Sequence, residues 1–243
     1  MIFLHSLIIY VFTVITTALL SLLAIAAGFF SKTGNSVHRV AQVWARSILW
    51  ISGIRAEIRG MEKIEPRRSY IYMSNHQSNF DIPVLLSKLN VQFRWLAKAE
   101  LFRIPIFGRA MRGAGYISID RADRESAFES LAIAARSIRN GTSVLVFPEG
   151  TRSPDGRLLP FKKGGFVLAV DAGVPIVPIV IQGSHAIMAK GGYLIRRRPV
   201  QIFVGPLVET SGYTRRTKED LMQRVRGIMT SDFQDEASGG GHA

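Results

Sequence analysis

The first thirty residues carry no charged side chain, and His5 is the one among them that can become positively charged. As a continuous helix this apolar segment would extend about 45 Å, enough to cross a bilayer or to lie deep within it. A cleaved signal peptide has a basic first region and a shorter apolar stretch, both of which are missing here. A helix buried in the protein's own core is rarely apolar over so long a run. The segment therefore predicts a membrane anchor.

A second helix is indicated over residues 37–51, where apolar side chains recur at steps of three and four residues. It could belong to a membrane-facing hairpin with the first helix or to the core of the domain that follows. We expect residues 1–52 to form N-terminal membrane-anchoring helices and residues 53–236 to form the main folded domain. The Gly-rich residues 237–243 have the composition of a disordered tail.

Beyond residue 54, short runs rich in β-branched and aromatic residues alternate with helical patterns. Strands are predicted at 56–58, 69–73, 93–96, 116–119, 143–147, 176–181 and 200–204, and helices at 80–87, 106–112, 124–139, 165–172 and 216–233. Such alternation is typical of an α/β fold. We expect a central mixed, largely parallel sheet flanked by helices.

The chain has 31 Lys and Arg residues against 18 Asp and Glu, a net charge of +13. This excess indicates an anionic partner, either nucleic acid or an anionic lipid surface. Basic residues beside an apolar anchor favour the lipid surface, because anionic headgroups attract them. Aromatic residues are not interleaved with the basic clusters as base stacking would require. We therefore expect a membrane surface and no nucleic acid.

Cysteine is absent, which excludes disulfides, thiolate metal sites and a cysteine nucleophile. The five histidines are scattered along the chain, and His76 and Asp81 lack a third ligand nearby in sequence. We expect no bound metal.

The segment NHQSNFD at 75–81 holds an imidazole and a carboxylate five positions apart. Ser78 to Asp81 matches a capping box, which would place His76 in the turn before a helix and Asp81 in its first turn. A carboxylate held against one imidazole nitrogen fixes the tautomer and leaves the other nitrogen as a base. The alternative is that Asp81 only caps the helix and that His76 is an ordinary turn histidine.

A second segment, FPEGTRS at 147–153, follows an apolar run that is typical of a buried strand. In open α/β sheets, ligands bind at the carboxyl ends of the strands. Gly150 permits close approach of the backbone, and Arg152 can hold a phosphate with a forked pair of hydrogen bonds. The alternative is a strand-end turn with a surface ion pair between Glu149 and Arg152.

Together the two segments resemble the glycerolipid acyltransferases, and in particular the bacterial 1-acyl-sn-glycerol-3-phosphate (lysophosphatidic acid) acyltransferases. GYISIDR at 115–121 and VPIVPI at 174–179 match the family in the same order, and KAEL at 98–101 with IPIFG at 104–108 is also similar. The resemblance covers roughly residues 69–204. Residues 53–236 would then be an acyltransferase catalytic domain.

The resemblance implies a catalytic pair, with His76 as general base and Asp81 as the residue that orients it. It also implies a set of residues that bind the acceptor: Lys98, Arg121, Glu149, Gly150, Thr151 and Arg152. Within this set, Lys98, Arg121 and Arg152 would contribute to a phosphate pocket. A positioned base of this kind contributes about 10²–10⁴-fold to a rate. Backbone N–H groups near the start of the helix after residue 78 would stabilise the negative charge of the tetrahedral intermediate by hydrogen bonds.

The implied reaction transfers a fatty acyl group to the sn-2 hydroxyl of lysophosphatidic acid and gives phosphatidic acid for phospholipid biosynthesis. Acyl-CoA or acyl-carrier protein would be the co-substrate, with no cofactor. Another lyso-lipid acceptor and a non-catalytic basic membrane-binding protein are the alternatives. A serine hydrolase is disfavoured because the chain lacks a Gly-x-Ser-x-Gly elbow. Basic residues after the apolar segment favour a bacterial inner membrane location with the catalytic domain facing the cytoplasm.

Overall fold

Short runs of β-branched and aromatic residues form the strands of a single sheet in the computed structural model, which describes residues 1–120 and 123–235. The strand order is β1-β7-β6-β2-β5-β3-β4, and every neighbouring pair is parallel except β6 with β7. The strands are β1 Ala56–Arg59, β2 Ile71–Ser74, β3 Arg94–Lys98, β4 Ile117–Ile119, β5 Val144–Val146, β6 Ile176–Gln182 and β7 Val200–Val204. The predicted mixed, largely parallel sheet is confirmed.

Helices connect these strands and cover both faces of the sheet. They are α1 Ile2–Phe29, α2 Asn35–Ser52, α3 Asp81–Lys88, α4 Ala99–Arg103, α5 Phe107–Gly113, α6 Arg124–Arg139, α7 Gly164–Ala172, α8 Ser184–Ile187 and α9 Lys218–Asp235, with a 3₁₀ turn at Met61–Lys63. The sequence did not predict α4, α8 or the 3₁₀ turn, because none is long enough to show a helical period. The tail at 237–243 lies outside the described residues.

The two faces of the sheet carry two separate hydrophobic clusters. On one face, side chains of α2 and α3 pack against buried aromatic residues of β2 and β3, including Tyr72 and Trp95. On the other face, α6, α7 and α9 pack against β2, β5 and β6 around Phe166. Strands buried on both faces are almost continuously apolar, which explains why they could be located from sequence.

Helix α1 is packed on the protein along one side and exposes the other. Its buried positions are Ser6, Ile9, Ser21 and Ala24, whereas most of its Leu, Ile, Val and Phe side chains are exposed. The helix is long and apolar enough to cross a membrane, with a mean hydropathy of 2.4 over its best window. Two serines thus face the protein together with Ile9 and Ala24, and most of the large apolar side chains face outward.

A buried arginine fixes the connection between α1 and α2 to the sheet. Arg94 of β3 donates to the carbonyl of Thr33 at 2.7 Å and to the side-chain oxygen of Asn35 at 2.5 Å. Burial lowers the pKa of Arg94 from its usual value, while Tyr116 opposes this shift. These bonds set where the two N-terminal helices lie against the domain.

Candidate active site

Strand pairing brings two distant loops to one place. β2 and β5 are adjacent and parallel, so the loops at 75–81 and 147–153 leave the same edge of the sheet. Ser153 donates its backbone N–H to the carbonyl of His76 at 2.7 Å, which joins the loops directly. Both motifs therefore lie at the carboxyl ends of parallel strands, where open α/β sheets bind ligands.

The imidazole and the carboxylate of the first loop are in contact. Nδ1 of His76 lies 2.8 Å from Oδ2 of Asp81, which is fully buried. The same oxygen accepts the backbone N–H groups of Gln77 at 2.6 Å and of Ser78 at 2.8 Å. Because a carboxylate only accepts hydrogen bonds, Nδ1 carries the proton and Nε2 is the basic nitrogen of the ring.

Helix α3 begins at Asp81, later than the capping box predicts. The hydroxyl of Ser78 accepts the N–H of Phe80 at 3.3 Å and donates to the carbonyl of Met188 at 2.8 Å, and the N–H of Asp81 bonds to the carbonyl of Ser78. The turn is thereby wrapped around the carboxylate. In this turn the N–H of Asn79 finds no acceptor among the described residues.

An aromatic residue of the second loop supports the imidazole from one side. The rings of His76 and Phe147 are stacked, with centroids 3.9 Å apart and an angle of 7° between the planes. Trp95 lies next to Phe147, with ring centroids 5.5 Å apart. The sequence motif did not reveal this contact, because residues 76 and 147 are joined only by the pairing of the sheet.

Glu149 is buried, and its carboxylate joins the two loops to a third. Oε1 accepts the backbone N–H of His76 at 2.7 Å, and Oε2 accepts that of Leu159 at 2.8 Å. Burial raises the pKa of Glu149 to about 7; the two N–H donors and the charge of Arg226 act in the opposite direction, while Asp81 adds to the rise. The carboxylate lies behind the His76 backbone, and Glu149 does not belong to the residues that line the cavity described below.

Asn75 has a structural part in this arrangement. Its amide nitrogen donates to the carbonyl of Ile181 at 2.9 Å, and its amide oxygen accepts the N–H of the same residue at 2.6 Å. The side chain thus continues the pairing between β2 and β6 beyond the last residue of β2. This contact holds the start of the His76 loop to the sheet.

A cavity of about 700 Å³ opens beside the pair and extends beneath the N-terminal helices. His76 and Phe147 line this cavity, and its remaining walls are mostly apolar. The wall residues from α1 and α2 are Thr17, Leu20, Ser21, Ala24, Val37, Val40, Ala41 and Trp44. Those from α3, β3 and α5 include Ile82, Leu86, Trp95, Leu96, Phe107, Ala110 and Met111.

Two cations line the same cavity. The guanidinium of Arg152 has no hydrogen-bond or ion-pair partner in the part of the chain that the structure describes. Nζ of Lys98 lies 2.6 Å from a carboxylate oxygen of Glu100 in an exposed pair. Thr151 also lines the cavity, and its hydroxyl accepts a hydrogen bond from Lys190 at 3.2 Å. The sequence did not single out Lys190, which lies outside every motif.

The structure thus brings Lys98, Thr151 and Arg152 around the His76 pair, together with the backbone at residue 150. Gly150 has a φ of +73°, and a Cβ there would approach the side chain of Lys162 to 3.0 Å. This conformation explains why the turn requires glycine. Arg121, the remaining predicted cation, lies outside the described residues.

The mixed α/β sheet presents a histidine–aspartate pair beside a mostly apolar cavity. Residues 55–182 match the family model described as Acyltransferase. The chain belongs to this family.

Two of its relatives are named 1-acyl-sn-glycerol-3-phosphate acyltransferases. The chain is 41% identical over 155 residues to the chloroplastic 1-acyl-sn-glycerol-3-phosphate acyltransferase BAT2 of Brassica napus, over 63% of this chain and 44% of that protein. It is 35% identical over 201 residues to the 1-acyl-sn-glycerol-3-phosphate acyltransferase of Pseudomonas aeruginosa, over 81% of this chain and 77% of that protein. The chain therefore spans less than half the length of the Brassica relative and most of the Pseudomonas one.

A solved structure shares the whole architecture. The crystal structure of the 1-acyl-sn-glycerophosphate (LPA) acyltransferase, PlsC, from Thermotoga maritima superposes with a TM-score of 0.84 at 26% identity. The match covers 97% of this chain and 96% of that protein, so it includes the two N-terminal helices.

The contacts of Asn75 lead to a stability prediction. Asn75→Ala should lower the free energy of unfolding by about 2–4 kcal/mol, because it leaves the buried N–H and carbonyl of Ile181 unpaired. Denaturant unfolding in detergent measures this loss. Asn90→Ala, at an exposed position, is the matched control and should unfold like the unmodified protein. Equal stability of the two variants would contradict the structural part assigned to Asn75.

Proposed function

We propose that the chain transfers a fatty acyl group from an acyl thioester to the sn-2 hydroxyl of lysophosphatidic acid and forms phosphatidic acid. The observation that carries the proposal is the contact of His76 with Asp81 beside a mostly apolar cavity that both His76 and Arg152 line. A base, an apolar cavity and a cation are what acylation of an anionic lysolipid requires. The names of the Brassica, Pseudomonas and Thermotoga relatives support the same reaction.

In this mechanism His76 acts as the general base. With Nδ1 donating to Asp81, Nε2 accepts the proton of the sn-2 hydroxyl while the hydroxyl oxygen attacks the thioester carbonyl. The tetrahedral intermediate collapses by breaking the carbon–sulfur bond, and the proton on Nε2 passes to the departing thiolate. The products are an ester and a thiol, and the imidazole returns to its neutral form. No acyl-enzyme is formed.

The negative charge of the tetrahedral intermediate requires a hydrogen-bond donor. The N–H groups of Gln77 and Ser78 are occupied by Asp81 and do not serve this purpose. The N–H of Asn79 has no acceptor among the described residues, and Asn79 lines the cavity. We therefore assign the backbone of Asn79 as the donor to the developing oxyanion.

The acyl chain and the phosphate of the substrates would bind two different kinds of surface. The acyl chain would occupy the apolar part of the cavity between the N-terminal helices and the sheet. The phosphate of the acceptor would bind the guanidinium of Arg152, which can form a forked pair of hydrogen bonds, with Lys98 nearby. Acyl-CoA or acyl-carrier protein would supply the acyl group, and no cofactor is needed. The net charge of +13 suits the phosphates of CoA, an acidic carrier protein and an anionic membrane surface.

We further propose that α1 lies along the membrane surface and does not cross it. Ser6 accepts the N–H of Ile195, Tyr10 donates to the carbonyl of Tyr193, and Thr17 accepts the indole N–H of Trp44. These contacts hold much of the helix against the domain, whereas a spanning helix would have to leave it to cross about 30 Å of hydrocarbon. The exposed apolar face would enter one leaflet, on the cytoplasmic side of a bacterial inner membrane.

The first prediction of the proposed function concerns the catalytic pair. His76→Ala should reduce incorporation of labelled acyl groups into phosphatidic acid by about 10²–10⁴-fold, because the hydroxyl loses its base. Asp81→Asn should also reduce kcat, because the neutral amide holds the ring less firmly in the required tautomer. Purified protein in mixed micelles provides the assay. His5→Ala is the matched control and should retain activity; an active His76→Ala protein would remove this mechanism.

The second prediction concerns the phosphate. Arg152→Ala should raise the KM for lysophosphatidic acid by about 10- to 100-fold, since a charge-assisted hydrogen bond contributes about 1.5–3 kcal/mol. Arg157→Ala, an exposed arginine in the same loop region, is the control and should leave KM unchanged. A phosphate-free acceptor should be used equally by the Arg152→Ala and unmodified proteins. Equal losses on both acceptors would argue against a phosphate contact.

The third prediction concerns the topology of α1. The absence of native cysteine allows single cysteines to be introduced at His5 and at Lys32, near the two ends of the helix. A membrane-impermeant maleimide should label both positions from the cytoplasmic side of oriented vesicles, because both ends lie on the same side of the bilayer. Labelling from opposite sides would show that the helix crosses the membrane.

A further inference from the structure

An arginine of the C-terminal helix contacts the loop that supports the catalytic histidine. Arg226 of α9 donates from Nη1 to the carbonyl of Leu159 at 2.6 Å and from Nη2 to the carbonyl of Leu158 at 3.2 Å. Its guanidinium also lies over the ring of Phe161, 5.2 Å from the centroid. Arg226 lies beyond the segment matched by the family model, residues 55–182.

The loop that contains Leu158 and Leu159 connects Arg226 to His76 through Glu149. The carbonyl of Leu158 and the N–H of Leu159 belong to one peptide group. Arg226 binds the carbonyl end of this group, and Glu149 accepts its N–H at 2.8 Å. The other oxygen of Glu149 accepts the N–H of His76 at 2.7 Å. A cation and a carboxylate therefore hold one peptide group from opposite ends, and each strengthens the other's hydrogen bond.

We propose that Arg226 is a positioning residue for His76, acting through the Leu158–Leu159 peptide group and Glu149. The inference rests on the proposed function, since it assigns His76 as the base. Arg226, Leu158, Leu159 and Glu149 do not belong to the cavity lining. Arg226 therefore acts on the rate through the backbone that carries the imidazole, from outside the cavity wall.

The ionisation of Glu149 gives the proposal a measurable pH dependence. As a carboxylate, Glu149 accepts both N–H groups; as a carboxylic acid, it holds them less firmly. Its pKa is raised to about 7, mainly by burial, so the arrangement loosens as the pH falls through this value. The charged groups that act on its carboxylate are Asp81 from the first loop and Arg226 from α9, and its hydrogen-bond donors are the backbone N–H groups of His76 and Leu159.

Removing the charge of Arg226 removes a contribution that lowers the pKa of Glu149. The carboxylate then protonates at a higher pH than in the unmodified protein. The acid limb of the kcat profile should accordingly move to higher pH when Arg226 is neutralised. A residue that merely stabilised the fold would lower activity by the same factor at every pH.

Four variants test the proposal. Arg226→Met removes the donors but keeps apolar contact with Phe161, and Arg226→Lys returns the charge without the planar fork. Glu149→Gln removes the titrating group. Arg224→Gln, at an exposed position on the same helix, is the matched control.

Arg226→Met should lower kcat by about 10- to 100-fold, the size of loss expected when a reacting group is misplaced, with little change in KM. It should also move the acid limb of the kcat pH profile to higher pH. Arg226→Lys should restore part of kcat and return most of the acid limb to its original pH. Arg224→Gln should match the unmodified enzyme. In the Glu149→Gln background, Arg226→Met should leave the acid limb of the kcat pH profile where it is. It should also lower kcat by a smaller factor than it does alone, because the effects of residues in one network are not additive.

A second readout separates this inference from the proposed reaction. Carbethoxylation of His76 by diethyl pyrocarbonate, mapped by peptide mass spectrometry, reports the ring without any acyl transfer. Its pH profile should change in Arg226→Met and remain unchanged in Arg224→Gln. If the unmodified protein acylates no lysolipid but this change is seen, the proposed function fails and the positioning role stands. The role of Arg226 would be overturned if the pH profiles of kcat and of carbethoxylation were unchanged in Arg226→Met. It would also be overturned if the losses in kcat of Arg226→Met and Glu149→Gln were fully additive, or if Arg226→Met only raised KM.

Discussion

A buried carboxylate is stable only when hydrogen-bond donors compensate the loss of water, and the site is arranged around that requirement at Asp81. One of its oxygens accepts hydrogen bonds from the imidazole of His76 and from the backbone N–H groups of Gln77 and Ser78. These bonds fold the loop after β2 into a tight turn and set the orientation of the ring. The tautomer of the imidazole, the start of α3 and the direction of the loop therefore depend on one interaction.

The second loop limits the freedom that remains to the imidazole. Phe147 stacks on the ring, and Glu149 holds the backbone N–H of the same residue, so His76 is restrained at its face, at Nδ1 and at its main chain. The stacking of Phe147 and the hydrogen bond of Glu149 both come from the loop after β5, the strand that lies parallel to β2. A change in the register of β2 and β5 would displace these two restraints together, so the pairing of the sheet determines how the imidazole is held.

The sequence could predict whatever is encoded locally. All seven strands were located to within one or two residues. The central strands β2, β5 and β6 are buried on both faces and almost continuously apolar, whereas β1, β3 and β7 are partly exposed and were located by short runs of β-branched and aromatic residues. The capping pattern indicated that His76 and Asp81 could meet. The contacts of Glu149 and Arg226 could not be predicted, because each joins segments more than sixty residues apart through backbone atoms. No local side-chain pattern records a hydrogen bond to a main-chain group so far away in the sequence.

The predicted boundary after residue 52 follows composition, but the packing crosses it. Helix α2 contributes Ile48 and Leu49 to the same hydrophobic cluster as β2 and β3, and α1 and α2 together form one wall of the cavity beside His76. Helix α1 is apolar nearly all round because one side meets the protein and the other is exposed, while Ser6 and Ser21 face inward. The segment that would bind the membrane thus also encloses the space where an acyl chain would lie. The two N-terminal helices and the rest of the described chain form one structural unit, so a lipid bound between them would reach His76 without crossing open water.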